Sequence, residues 1–527
     1  MPKMQPVVLP SLCLAVRNRS PYMNRSPGVV TRRSSMVRQA LLLNSDNLGQ
    51  RVATGAGYKF LGIAFRTAIT IGSTAILARL LSPAEFGYIA MATVITEFAG
   101  LFGAFGFTNV LVQRRVITRL QLDTVFWATL AIGTLLAVVV FVSSFFAEWL
   151  FADPQVGPLL QVLSLTFVLN SLVAVPWVVL SRLMRFGAEF WLQLGIVAIR
   201  TAAAVISAYA GFGVWSLVIG ALVGGLAGVV VNFARVPFLP RFRFHLPLLT
   251  TTWRTSGSYL GSSVLYYINM NLDLMLIGRQ LGATSLGFYQ NARSLTDEIR
   301  ARIAMPIQHV LFPAFSAVQG DRARFQSLVM RAGRLLAAIV IPVGVGVSAN
   351  ASELVRVLYG EKWLAMIPVM SLFGLSGALR AATAISSPLF NSTDRVGLAL
   401  RYNIAGTVLS VSGVLFAMPY GVERVAMALA VTSLFSLVAF RTAFGLIGLN
   451  TAHMMQVLGL PTLAALAMWL ATFGVQQVSD GWGLNTGTLL LAHVAFGSVV
   501  YMLTLHLLSR QYLQDFRQAA ATMLERA

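Results

Sequence analysis

Residues 78–88 read ARLLSPAEFGY and residues 278–288 read GRQLGATSLGF, and this pair of stretches decides the fold. They share an arginine, a leucine and a glycine at matching positions, and Tyr88 is matched by Phe288. Each stretch joins two apolar segments that are long enough to cross a membrane. Because an even number of predicted helices separates the copies, the halves should be parallel repeats about an axis along the membrane normal. The repeat therefore predicts two packed six-helix lobes with a site between them.

The composition places the chain in a membrane. Of its 527 residues, 57% are hydrophobic and 11% are charged, and the mean hydropathy is +0.75. Soluble proteins carry roughly 25% charged residues, so a soluble globular fold is excluded. The single cysteine, Cys13, excludes a disulfide framework and a cysteine-based metal site. The net charge of +21 would suit nucleic acid, but the basic residues lie mostly between apolar segments, so no nucleic-acid partner is predicted.

The hydropathy pattern predicts an all-α polytopic membrane protein with about fourteen transmembrane helices. The predicted spans are 56–80, 86–106, 124–147, 158–180, 190–210, 214–234, 256–278, 284–310, 334–352, 365–389, 399–418, 422–447, 454–477 and 487–508. The predicted domains are a basic, disordered cytoplasmic tail (1–55), an N-lobe of helices 1–6 (56–234), a basic cytoplasmic linker (235–255), a C-lobe of helices 7–12 (256–447), helices 13–14 (454–508) and a cytoplasmic tail (509–527).

The distribution of lysine and arginine predicts that both termini are cytoplasmic. In this orientation the outside loops hold only five of the 39 basic residues: Arg79, Arg279, Arg356, Lys362 and Arg424. The first 55 residues are rich in Arg and Ser and have no acid before Asp46, which is typical of a disordered tail. There are two alternatives: a transit peptide, or a gene start placed too far upstream, with Met36 as the true initiator.

Polar residues form matching stripes on two predicted helices. Helix 1 carries Lys59, Arg66, Thr70 and Ser73, and helix 7 carries Ser262, Tyr266, Asn269 and Asp273. Spacings of three, four and seven residues place each set on one helical face. In the repeat, Arg66 corresponds to Tyr266 and Ser73 to Asp273. The two faces are therefore predicted to meet across a central cavity.

Further charges lie within the predicted spans, where charged side chains are expensive and are candidates for function. Arg293 and Asp297 are four residues apart on helix 8 and can pair. The candidates for substrate binding are Arg66, Arg200, Asp273, Asn269, Tyr266, Arg293, Lys59 and Arg380. The candidates for binding a coupling ion are Asp273, Asp297, Glu97 and Glu298. The alternatives are that Lys59 and Arg380 only extend to lipid headgroups, and that Arg293 and Asp297 form a structural pair.

The candidate cavity holds more arginine than acid, which favours an anionic ligand such as a phosphate. The chain has no G-x-x-x-x-G-K-[ST] loop, no H-E-x-x-H and no G-x-S-x-G motif. Its longest predicted outside loop, 351–364, is short for a catalytic domain. We therefore predict a transporter with no cofactor and no metal, and not an enzyme.

Five stretches carry a resemblance to a known family. They are ILARLLSPAEFGYIAMATVI (76–95), GAFGFTNVLVQRR (103–115), NLDLMLIGRQLGATSLGFYQNA (271–292), VLFPAFSAVQGD (310–321) and LYGEKW (358–363). Their order and spacing resemble those of the Wzx-type oligosaccharide flippases, which export polysaccharide repeat units. That family belongs to the superfamily that also includes multidrug exporters and peptidoglycan lipid-precursor flippases. The resemblance runs from about residue 50 to residue 450.

The resemblance implies two six-helix lobes in a V around a central cavity, with helices 13 and 14 added outside. It implies a bacterial cytoplasmic (inner) membrane protein that moves polyprenyl-pyrophosphate-linked oligosaccharide to the outer leaflet by alternating access. The product would be an exopolysaccharide, lipopolysaccharide or other surface polysaccharide, and partners would include membrane lipids, a polysaccharide polymerase and export machinery. Only Asp273, in the NLD motif, is carried over from the family; Leu274 replaces a further polar residue that is usual there.

Several alternatives stay open. A multidrug exporter would favour an acidic cavity, whereas a peptidoglycan-precursor flippase would handle the same pyrophosphate group. A non-transporting scaffold of a polymer-assembly complex and a membrane glycosyltransferase are the other candidates. The sequence leaves four properties open. They are the coupling of transport to H⁺, to Na⁺ or to neither, the sugar composition of the substrate, the polymer pathway and the oligomeric state.

Overall fold

The structure is a computed structural model. It describes residues 48–103, 108, 111–112, 114, 117–183, 186–236, 238–318, 320–479, 484–509, 511–512, 514–515 and 518. Regular structure in these residues is helical throughout, with no strand among them, as predicted. Most of the predicted N-terminal tail, including Met36, and the end of the C-terminal tail lie outside the described residues.

Six helices form the N-lobe. They are α1 Leu48–Leu80, α2 Pro83–Gly103, α3 Arg119–Phe151, α4 Val156–Arg182, α5 Phe186–Tyr209 and α6 Trp215–Arg235, with short 3₁₀ or irregular turns inside α3 and α4. Local sequence sets several of these boundaries. Pro83 occupies the first turn of α2, where its missing N–H is tolerated. Thr118 and Gln121 form a capping box that begins α3.

The C-lobe follows the same plan. The helical segment Leu246–Val318 is divided by non-helical backbone at Gly282 (φ 79°) into α7 and α8. The helices that follow are α9 Arg322–Ala349, α10 Glu361–Ser392, α11 Val396–Tyr420, α12 Val422–Leu446, α13 Thr451–Ser479 and α14 Thr486–Leu508, with a short helix Ala351–Leu358 before α10. The linker between the lobes is shorter than the predicted 235–255, because α7 begins at Leu246. Hydropathy missed this polar first part of the helix, in which Pro247 takes a tolerated first-turn position.

Twelve helices of the described residues are long and apolar enough to cross a membrane. The segment that contains α7 and α8 is not among these twelve, although its break at Gly282 falls between the two spans predicted there. The protein is therefore a multi-pass membrane protein. The count of fourteen spans stays a prediction.

The two lobes meet in a reciprocal contact between α2 and α8. A Cβ atom at Gly87 would lie 1.8 Å from the carbonyl oxygen of Ala283, and one at Gly287 would lie 1.9 Å from that of Pro83. Pro83 and Gly87 correspond to Ala283 and Gly287 in the sequence repeat. The contact thus has the two-fold relation that the repeat predicts, and glycine is required because only it permits so close a backbone approach.

In the part of the chain that the structure describes, buried apolar residues join the lobes at one end only. One core cluster contains Met91 and Leu160 of the N-lobe together with Leu286 and Trp363 of the C-lobe. At the opposite end, where the linker runs, the lobes have separate clusters, one around Phe126 in the N-lobe and another in the C-lobe. The lobes therefore form a V, with a closed end beside the α1–α2 and α7–α8 turns and an open end beside the linker.

Helices α13 and α14 pack outside the C-lobe, as predicted. They pack against α9 and against each other, and the Tyr501 hydroxyl donates to the carbonyl of Ala338 at 2.9 Å. At the closed end, the buried His493 ring lies 3.5 Å from Glu353 and 3.1 Å from the Ser479 hydroxyl. This polar cluster ties α14 to the short helix Ala351–Leu358.

Candidate substrate and coupling sites

Asp273 of α7 lies at the centre of a buried polar network. Its carboxylate accepts hydrogen bonds from Arg293 Nη1, at 2.8 Å and 3.0 Å, and from the Tyr289 hydroxyl at 2.5 Å. Arg293 also donates to the carbonyl of Met270 and lies 3.5 Å from Asp297. The side chains of Asp273 and Arg293 are only 17% and 18% exposed. The network therefore fastens α7 to α8.

This network carries no excess positive charge. Arg293 is held between two carboxylates, and an opposite charge at such a distance stabilises its charged form and offsets its field. The sequence predicted the pairing of Arg293 with Asp297, and the structure contains it. The shorter pairing with Asp273 was missed because 20 residues separate the two, which in a straight helix would place them about 30 Å apart. A signal was available, since Gly282 lies nearly midway between them.

A cavity of about 620 Å³ opens beside this network, among α7, α8, α10, α11 and α12. It is lined by four of the predicted site residues, namely Asn269, Asp273, Arg293 and Arg380. Asn269 donates to the Thr407 hydroxyl on α11. Tyr289 also lines the cavity and was not predicted as a site residue. The C-lobe cavity thus combines a compensated charge network with amide and hydroxyl groups.

Glu97 belongs to a second and larger cavity. This N-lobe cavity of about 1100 Å³ lies among α2, α3 and α4, and Glu97 lines it with Thr96 and Asn170. Tyr267 of α7 donates to the carbonyl of Val94 at 2.8 Å and interacts with the Glu97 carboxylate. The structure therefore places Glu97 in a different cavity from Asp273, where α2 meets the C-lobe, but within electrostatic reach of Arg293.

The remaining predicted site residues whose side chains the structure describes line neither cavity. Arg66 and Arg200 are exposed, and among the described residues neither forms an ion pair. Tyr266 is 65% exposed, whereas its neighbour Tyr267 is the residue that contacts α2. Glu298 is half-buried on α8 and has its own partner. The side chain of Lys59 lies outside the described part of the structure.

Packing of α1 on α5 gives the relative depth of the two exposed arginines. The rings of Phe65 and Phe190 are in contact, with centroids 6.3 Å apart, and further along Leu77 packs in one cluster with Ala204. The helices therefore run side by side in the same direction. Arg200 then lies level with about residue 73 of α1, and Arg66 lies about 10 Å from that level along the axis.

The closed end is sealed around Trp363, in the LYGEKW motif. Its indole contacts Phe86 of α2 and Phe288 of α8, with centroid distances of 5.3 Å and 5.8 Å. The indole N–H donates to the carbonyl of Ala78 at 2.9 Å. Beside it, burial raises the pKa of the Tyr359 hydroxyl above its ordinary value, so this group stays neutral. The role of Trp363 was not predicted.

The repeated arginines also cross between the lobes at this end. Arg79 of α1 donates to the carbonyl of Val357 at 2.7 Å. Arg279 of α7 donates to the carbonyls of Trp149 and Leu150 at 3.2 Å and 3.1 Å. Each arginine thus binds main-chain oxygens of the opposite lobe, which supports the closure of this end. Among the described residues no group of three or more His, Cys, Asp or Glu side chains is placed to hold a metal ion.

Solved structures share the fold. The chain is 15% identical to a structure titled lipid II flippase MurJ, inward closed conformation, with a TM-score of 0.67 over 88% of this chain and 100% of that one. It is also 15% identical to an inward-facing multidrug resistance MATE family transporter of the MOP superfamily, with a TM-score of 0.57 over 74% of this chain and 95% of that one. These likenesses confirm the predicted polytopic architecture.

Curated relatives point to one group of proteins. The chain is 27% identical to the succinoglycan biosynthesis transport protein ExoT of Rhizobium meliloti, over 86% of this chain and 92% of that protein. It is 24% identical to the teichuronic acid biosynthesis protein TuaB of Bacillus subtilis, over 87% of this chain and 96% of that protein. It is 25% identical to the lipopolysaccharide biosynthesis protein WzxC of Escherichia coli, over 70% of this chain and 75% of that protein. Residues 76–368, more than half of the chain, match the family described as polysaccharide biosynthesis protein, and the chain belongs to that family.

Proposed function

We propose that this protein is a flippase that translocates a polyprenyl-pyrophosphate-linked oligosaccharide repeat unit across the bacterial cytoplasmic membrane. The observation that carries the proposal is the divided core, with both lobes in one cluster at the closed end and separate clusters at the open end. Two lobes that share only one end can rock about the space between them, as alternating access requires. The relatives named for succinoglycan, teichuronic acid and lipopolysaccharide biosynthesis support a surface or exopolysaccharide as the product.

The charge distribution supports an open end that faces the cytoplasm. The linker at this end carries Arg241 and Arg243, and basic loops favour the cytoplasmic side. Both termini would then be cytoplasmic as well. A cavity that opens there would receive its substrate from the inner leaflet and release it outside after the lobes rock.

We assign the pyrophosphate to the exposed arginines of the N-lobe. Arg66 and Arg200 are exposed, lie on adjacent helices and form no ion pair among the described residues, so their charges are available to a ligand. Guanidinium groups bind phosphate oxygens in a bidentate manner. Further polar residues would extend the binding site for the substrate headgroup. They are Lys59, two turns before Arg66 in the sequence, and Tyr266, Asn269 and Arg380 of the C-lobe.

We propose that the Asp273 network couples transport to an H⁺ or Na⁺ gradient. Arg293, which was predicted to bind substrate, is assigned to this network instead. Protonation of Asp273, or binding of Na⁺ to it, would remove one of the two carboxylates that compensate Arg293. Because Asp273 and Arg293 join α7 to α8, the change in charge would alter the packing of these helices. Asp297 and Glu298 lie further along α8 and are the secondary coupling candidates. A polysaccharide polymerase and export machinery are the proposed protein partners.

A leaflet-resolved assay of lipid-linked oligosaccharide tests the proposal. Cells that lack the protein should accumulate the lipid in the inner leaflet, and wild-type protein should restore export. Arg66→Ala should reduce export about tenfold or more, since a charged hydrogen bond contributes roughly 1.5–3 kcal/mol. Arg424→Ala, at an exposed arginine outside both cavities, is the matched control. Unchanged lipid-linked sugars in cells without the protein would contradict the flippase function and favour a drug exporter.

A further inference from the structure

The N-lobe cavity is the larger of the two cavities, and the pyrophosphate and coupling assignments do not use it. It is about 1100 Å³, against about 620 Å³ beside Asp273. Its walls bring together polar groups from three helices: Thr96 and Glu97 of α2, Thr129 of α3, and Thr166, Asn170 and Ser171 of α4. An ionisable side chain is expensive inside a membrane protein, so Glu97 among these polar groups makes the cavity a candidate ligand site.

The hydroxyl groups of this wall present acceptors. Each donates its proton to a main-chain carbonyl of its own helix, at 3.1 Å for Thr96, 2.9 Å for Thr129, 2.5 Å for Thr166 and 2.7 Å for Ser171. A hydroxyl that donates in this way still has oxygen lone pairs for a ligand. The carboxylate of Glu97 and the amide oxygen of Asn170 add further acceptors. The wall therefore suits a ligand with many O–H donors.

The cavity also has apolar and narrow parts. Phe167 and Leu136 contribute apolar surface, and at Gly100 nothing lies within 4 Å of where a Cβ atom would be. A Cβ atom at Gly133 would lie 1.7 Å from the Ser171 hydroxyl oxygen, so α3 and α4 pack too closely here for any larger residue. Apolar surface with a few well-placed polar groups is the usual lining of a small-molecule site. A sugar offers both apolar C–H faces and hydroxyl donors.

Size and charge argue against the other ligands. A coordinated cation needs oxygen atoms within about 2.0–2.6 Å of one point, whereas this space is far larger than one such shell. A pyrophosphate would be repelled by Glu97, which is the one charged side chain among the described residues of the lining. We propose that the N-lobe cavity is a glycan subsite that holds part of the uncharged sugar moiety of the lipid-linked substrate. This rests on the proposed flippase function.

The position of Glu97 links this subsite to the C-lobe. Glu97 interacts with Tyr267, which lies on α7 six residues before Asp273. Sugar hydroxyls that bind Glu97 compete with this interaction. Occupation of the subsite would therefore loosen a contact between the lobes, close to the helix that carries the coupling network.

Binding measurements on the full-length protein in nanodiscs test the subsite. The probes are undecaprenyl-pyrophosphate-linked oligosaccharide purified from cells that express the protein, and undecaprenyl pyrophosphate without sugar. Asn170→Ala and Glu97→Gln should each weaken binding of the glycan-bearing lipid about tenfold and leave the sugar-free lipid unchanged. Asn391→Ala, at an exposed asparagine outside the cavity, is the control. Thr166→Val gives a third, nearly isosteric variant should the other two fold poorly.

Three results would overturn the subsite. If binding of both lipids is weakened equally, the residues contact the pyrophosphate. If binding of both lipids is unchanged, the residues do not contact the substrate. A loss that appears only as a changed Na⁺ dependence would identify a cation site. Wild-type protein that binds neither lipid would instead contradict the flippase function itself.

Discussion

Gly87 and Gly287 occupy equivalent positions on the two sides of the lobe interface, and each lies under a main-chain carbonyl of the opposite lobe. A Cβ atom would lie 1.8 Å from that carbonyl oxygen at Gly87 and 1.9 Å from it at Gly287, too short for any residue but glycine. This pair therefore sets how closely α2 and α8 approach at the closed end. It also shows why these glycines recur in the sequence repeat.

Gly287→Ala should open the closed end. The added Cβ has no space at the carbonyl of Pro83, so α2 and α8 must separate. Spin labels at Gln155 and Glu361, on opposite lobes, should report a longer distance in a variant whose Cys13 is replaced by serine. Gly72→Ala, where nothing lies within 4 Å, is the control. An unchanged distance in Gly287→Ala would contradict this account of the interface.

Trp363→Ala should destabilise the protein by about 3–5 kcal/mol, the usual range for truncation of a buried tryptophan. The variant loses ring contacts with Phe86 and Phe288. Trp363→Phe keeps an aromatic ring but loses the hydrogen bond to Ala78, and should lose about 1 kcal/mol through that bond. Thermal unfolding in detergent measures both. The exposed Trp191 offers a control, since Trp191→Ala should hardly change the melting temperature.

Arg293→Ala should abolish transport and destabilise the fold by about 3–5 kcal/mol, because Asp273 would be left buried without its cationic partner. The double variant Asp273→Asn with Arg293→Gln removes both charges and should regain part of the stability but not transport. A double-mutant cycle measures the coupling between the two residues, expected at about 0.5–3 kcal/mol. Additive effects would mean that the pair does not act as a unit.

Asp273→Asn should also remove any dependence of transport on the H⁺ or Na⁺ gradient. The amide can neither be protonated at physiological pH nor supply a carboxylate charge to Na⁺. Proteoliposomes with an imposed gradient provide the measurement, and Asp153→Asn, at a carboxylate outside both cavities, is the control. If Asp273→Asn still shows gradient-driven transport, Asp273 is not the residue that couples transport to the ion gradient.

His493→Ala should loosen the added helices. It leaves Glu353, which is largely buried, without its contact to α14, and an unsatisfied buried polar group typically destabilises by about 1–3 kcal/mol. Protease sensitivity of the α13–α14 connection should rise. His506→Ala on the same helix is the control, and equal sensitivity of the two variants would contradict a specific role for His493.

The sequence by itself determined the class, the repeat and the local pairs. Long apolar segments, the match between Gly87 and Gly287, and the pairing of Arg293 with Asp297 all depend on neighbours along the chain or on a fixed offset. Helical periodicity encodes the pair Arg293 and Asp297 directly, because residues three or four apart share a face. The predicted break between helices 7 and 8 contains Gly282, because the apolar spans 256–278 and 284–310 end and begin on either side of it.

Only the tertiary structure decided how those pieces come together. It joined Asp273 to Arg293 and Tyr289, gave Glu97 a separate cavity, placed Tyr267 instead of Tyr266 against α2, and set Trp363 between the lobes. These contacts depend on the reversal at Gly282 and on the rotation of each helix about its axis. Polar periodicity predicts which residues share a face, but the packing of neighbouring helices decides what that face meets.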